Sequence, residues 1–192
     1  MINSIIYIEV FPFLTRLAML MGATILGDFI LHRFGLVWVG RYMGIPGTLL
    51  IVLSLLYSLR KRKIIHTGSP RILLRVHEFF TWLGALMILI HSGVHFNAIL
   101  PWLATMAMVV NVVSGLVGQY LLERSRRHLS SMRKQYQVDG MAKNEIEMAL
   151  YWDSVTYDLM VKWRIVHFPI SYAFSILAIG HIFSVFLFWE WK

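Results

Sequence analysis

Residues 77–91 read HEFFTWLGALMILIH, and residues 167–181 read HFPISYAFSILAIGH. Each stretch is apolar, begins and ends with histidine, and holds thirteen residues between the two. Fourteen residues of α-helix rise about 21 Å and complete nearly four turns. His77 and His91 therefore share one helix face, one toward each end, and the same holds for His167 and His181. Ionisable side chains inside apolar spans are costly and mark functional positions by default.

The surrounding chain is of the same apolar kind. Of 192 residues, 58% are hydrophobic. A helix needs about 20 mostly apolar residues to cross a bilayer, and the chain offers five such runs. They are centred on residues 13–34, 43–60, 75–97, 98–122 and 163–189. The expected fold is an all-α integral membrane protein, a single bundle of five transmembrane helices over residues 1–192. The apolar residues run continuously rather than alternating, which argues against a β-barrel. The N-terminal MINSIIYIEVFPF lacks a basic leader and a small-residue cleavage site, so no cleaved signal peptide is expected. Trp38, Trp102, Trp163, Trp189 and Trp191 stand near span ends, where indoles anchor at the interface.

The formal charge is +8. Its lysines and arginines cluster beside the apolar runs, a pattern of membrane orientation rather than nucleic-acid binding. One cluster is Arg60, Lys61, Arg62, Lys63, Arg71 and Arg75. A second runs from Arg124 to Arg164, whereas the opposite side has Arg33, Arg41 and Lys192. By the positive-inside rule the N-terminus faces the cytoplasm and the C-terminus faces outward, in a bacterial or archaeal cell membrane. Residues 123–162 form a basic, amphipathic cytoplasmic segment. It either continues the fifth helix or lies on the membrane surface, and it is a docking surface or a solvated face.

The third and fifth spans are separated by one span and so run parallel. If they face each other, His77 meets His167 near the inner side and His91 meets His181 near the outer side. Zinc usually takes four protein ligands. A haem iron already has four porphyrin nitrogens and needs only two axial ligands. With no cysteine in the chain, covalent haem attachment and cysteine-ligated clusters are excluded. The expected cofactors are thus two non-covalent haems b, their irons held by His77 with His167 and by His91 with His181. Arg75 and Arg164 are candidates for the inner propionates. Gly84, midway between His77 and His91, either lines a haem or serves helix packing.

The matched gaps, on helices separated by one other, resemble the di-haem transmembrane b-type cytochromes. They are similar to respiratory cytochrome b and to the ferric-reductase and NADPH-oxidase transmembrane domain. WRIVHFPISYAFSILAIGH is the more ferric-reductase-like segment. The resemblance covers residues 70–190 and implies haem ligation at His77, His91, His167 and His181 only. Within these 192 residues no dinucleotide-binding glycine motif follows a strand, and the quinone-site motif and later spans of respiratory cytochrome b are not among them. The five-span size resembles cytochrome b subunits of membrane oxidoreductases, which implies electron transfer with partner subunits and quinone rather than a stand-alone enzyme.

Asp28 and His32 are four residues apart and share a face near the outer end of the first span. With His95, one turn beyond His91, they form a candidate quinone pocket; the alternative is a structural contact of Asp28 with His32 or Arg33. Two readings without haem also stand: a metal or proton transporter using the histidines as transient ligands, and an assembly or anchor subunit.

Overall fold

The computed structural model of the chain describes residues 11–94, 98–118 and 123–188. Among these the secondary structure is helical. The helices are α1 (Phe11–Arg33), α2 (Val37–Tyr42), α3 (Gly44–Ser54), α4 (Leu56–Lys61) and α5 (Pro70–Val94). They continue with α6 (Ile99–Leu116), α7 (Glu123–Val138), α8 (Lys143–Ala149) and α9 (Tyr151–Phe188). Among the described residues five stretches are long and apolar enough to cross a membrane: Phe13–Arg33, Val37–Lys61, Pro70–Gly93, Ile99–Leu116 and Ile165–Phe188. Only 6–22% of these stretches is buried within the protein. Their outward faces carry large apolar side chains such as Ile25, Phe29, Leu49, Phe79, Ile176 and Phe183. Exposed apolar area on that scale demands a lipid environment. The protein is an all-α, multi-pass membrane protein.

The second span differs from the sequence expectation. It begins at Val37, not near residue 43, and takes in Gly40 and Arg41. Its hydrogen-bond ladder is interrupted at Met43 and Leu55, although both keep right-handed helical dihedrals. Pro46 explains the first interruption, because it has no N–H for the Tyr42 carbonyl. At the second, the Ser54 hydroxyl donates to the Ile51 carbonyl at 2.7 Å and competes with the ladder. The third span starts early, with Pro70 in the first turn, where its missing N–H costs nothing.

Turn chemistry sets the ends. After α1 the Leu36 N–H donates to the Leu31 carbonyl at 2.8 Å, and Gly35 adopts φ +68. This is the left-handed cap that glycine accepts without strain. The same pattern closes α4 with Lys63 at φ 60 and α7 with Gly140 at φ +77.

The chain divides into two compact units. One holds residues 1–17 and 113–171, the other residues 18–112 and 172–192. In the first, Leu116, Ile146 and Leu150 are buried, and α8 opens with the Ala142 N–H donating to the Glu145 carboxylate at 3.1 Å. Here residues 123–162 form α7, α8 and the start of the 38-residue α9, so the fifth helix does extend beyond its apolar span. In the second unit the core gathers Leu20, Ala85, Leu89, Met108 and Phe174.

Candidate functional site

His91 and His181 face each other within the second unit. Their ring centroids are 6.3 Å apart and their planes cross at 52°. An imidazole nitrogen lies roughly 1 Å from its ring centroid and binds a metal at about 2 Å. Two imidazoles on opposite sides of one metal therefore have centroids about 6 Å apart. The observed separation matches that requirement.

The ring nitrogens are also sorted. His91 Nδ1 lies 3.3 Å from the carbonyl oxygen of Gly40, and His77 Nδ1 lies 3.0 Å from that of Ser54. A carbonyl can only accept, so each Nδ1 carries the proton and donates it. Nε2 is left with the lone pair. Metal-ligating histidines commonly donate their other N–H to a carbonyl in this way. Ligation chemistry thus fits both residues.

Gly44 shapes the His91 end. A Cβ added there would stand 2.9, 3.0 and 3.1 Å from Cδ2, Nε2 and Cε1 of His91. Near-equal distances put it over the ring face, not in line with the Nε2 lone pair. The helix therefore approaches the imidazole from its face, which a side chain at position 44 would block.

His77 belongs to the second unit and His167 to the first. Tyr57 flanks His77, with ring centroids 5.5 Å apart. His167 Nδ1 is hydrogen-bonded to Ser114 Oγ, and Gly115 lies beside its Cε1. The carbonyls of His77 and His167 each accept a hydroxyl one turn later, from Thr81 and Ser171, both at 2.7 Å.

Gly84 faces Gly47. A Cβ on Gly84 would be 2.9 Å from the Gly47 carbonyl oxygen and 2.9 Å from Ile51 Cγ1. The missing side chain is used by the crossing of α3 and α5. Arg75 is exposed on α5. Arg164 lies on α9, but its side chain is outside the described residues, as is all of His95. Asp28 and His32 are adjacent on α1. The His32 Nδ1–H donates to the Asp28 carbonyl at 2.9 Å and lies 3.4 Å from Asp28 Oδ1. That carboxylate oxygen is buried and has no hydrogen-bond partner among the described residues.

Gly40, Gly44, Ser54 and Ser114 escape the sequence reading. Gly40 looks like a loop residue, Gly44 falls in the first turn of the second apolar run with nothing to single it out, and serine is unremarked in membrane helices. A signal exists in the seven-residue steps from Gly40 to Gly47 to Ser54. Among the described residues no three histidine, aspartate or glutamate side chains gather into a metal-binding group.

No protein-family model, curated protein or solved structure matches this chain. Fold and site geometry alone define its class, a multi-pass helical membrane protein with opposed histidines on two of its spans.

Proposed function

We propose that this chain carries electrons across a membrane through two bis-histidine haems b, as one subunit of a membrane redox complex. The observation that carries the reading is the facing pair His91 and His181, at the separation a shared axial metal requires. The Nδ1–H bonds of His77 and His91 support it, because they present Nε2 as the ligand nitrogen. When bound there, a haem would supply a reversible one-electron couple.

The protein's part is to hold and orient. His91 and His181 would hold the outer haem. The sequence spacing assigns His77 and His167 to the inner one. Arg75 and Arg164 offer cationic groups for the inner propionates. The apolar spans exclude water from the path. The N-terminus is assigned to the cytoplasmic side from the distribution of lysine and arginine. Asp28 and His32, beside the His91 end of α5, are the groups proposed to exchange protons with a quinone.

Spectroscopy of the purified protein tests this directly. Two low-spin haems per chain are expected, both released by acid–organic extraction. His91→Ala or His181→Ala should remove one and leave the other. A folded but colourless protein would sink the proposal.

A further inference from the structure

Three contacts between the second and third spans share one register. His91 meets Gly40, Gly84 meets Gly47, and His77 meets Ser54. Each step moves seven residues back along α5 and seven forward along the second span, so the two run antiparallel. Seven residues are about two turns, or roughly 10.5 Å. At the middle of the crossing each glycine's added Cβ would approach the other's carbonyl oxygen, at 2.9 Å and 3.1 Å. Packing this tight leaves no room for a side chain on either helix at that point.

From this register we infer that the second span is a positioning template for both third-span histidines. The Gly47–Gly84 crossing sets the alignment. The Gly40 and Ser54 carbonyls then select the Nδ1–H form of His91 and His77, and Gly44 presses on the His91 ring face. The inference rests on the haem reading for its consequence, but its geometry stands without it. The Ser54 carbonyl lies beside the ladder interruption at Leu55, and the Gly40 carbonyl also accepts the Met43 N–H at 3.2 Å, so each sits where the regular ladder is broken or tightened. A slip of the crossing by one residue rotates the facing surfaces by about 100°. It would withdraw both carbonyls together. One contact, touching neither histidine, therefore governs the ligand nitrogen at both ends.

Gly84→Ala is the discriminating variant, because its Cβ meets a backbone oxygen that cannot swing aside. Redox titration and low-temperature electron paramagnetic resonance are measured on the haem-loaded variant and on the unchanged protein. Both centres should shift toward more positive potentials, since an imidazole that loses its N–H acceptor is a weaker donor to ferric iron. Haem retention should fall by about 10–100-fold at both sites. Gly44→Ala should perturb one centre and spare the other, and it reads the template even if Gly84→Ala does not fold. Unshifted centres in folded Gly84→Ala, or an unchanged spectrum in Gly44→Ala, would overturn the inference. If the unchanged protein carries no haem, the functional proposal fails and the template is tested alone. Nitrogen-15 NMR of the histidine-labelled chain should then find the proton on Nδ1 of His77 and His91, and a proton on Nε2 would overturn it.

Discussion

The Asp28 carboxylate of α1 packs against Gly93 of α5, two residues from His91. A Cβ added to Gly93 would stand 3.3 Å from Asp28 Oδ1. That oxygen is buried without a hydrogen-bond partner among the described residues, an arrangement that costs about 1–3 kcal/mol. If Asp28 serves proton exchange with quinol, Asp28→Asn should slow haem reduction by roughly tenfold or more, about 1.4 kcal/mol of barrier. Asp28→Leu should raise the thermal midpoint while losing that activity. Stopped-flow reduction and thermal unfolding check the two halves, and an unchanged reduction rate removes Asp28 from the site.

Ser114 is 1% exposed and holds His167 through its hydroxyl. Ser114→Ala should cost about 1 kcal/mol of stability. It should move the potential of one haem and leave the other in place, because only one imidazole loses its partner. A redox titration that shifts both, or neither, contradicts this.

The bundle core is specific as well as apolar. Leu20 is 2% exposed among Ala85, Leu89, Met108 and Phe174, whereas Ile25 on the same helix is 67% exposed. Leu20→Ala should destabilise by about 2–5 kcal/mol through the cavity it leaves. Ile25→Ala, on the lipid side, should change little. Unfolding midpoints in detergent separate the two.

Lys63 occupies the left-handed cap after α4, at φ 60. Lysine pays for this conformation and glycine does not, although glycine loses more backbone entropy on folding. Lys63→Gly should therefore raise stability by about 0.5–1 kcal/mol. Lys63→Ala should bring no such gain, as thermal unfolding will show.

Much of the architecture is legible in the sequence. Runs of apolar residues near the thickness of a bilayer dictate helices, because backbone groups in lipid must bond within their own segment. Fourteen-residue spacing dictates that His77 shares a face with His91, and His167 with His181. The boundaries were less legible at the second span. Gly40 and Arg41 look like loop residues, yet they belong to a helix packed against α5, whose contacts outweigh local propensity. Gly84 was open between cofactor lining and helix packing. The structure sets it against Gly47, a neighbour that only the path of the adjacent backbone determines.

What the sequence by itself determined is local: which segments are apolar enough to span, where their histidines fall, and which face each occupies. What only tertiary structure decided is which backbone carbonyl each imidazole meets. A hydrogen bond depends on a donor and an acceptor brought together within about 3 Å. For His91 and Gly40 that meeting joins residues 51 positions apart in the chain. Periodicity along one helix carries no record of its partner's register. The antiparallel packing of α5 on the second span supplies it.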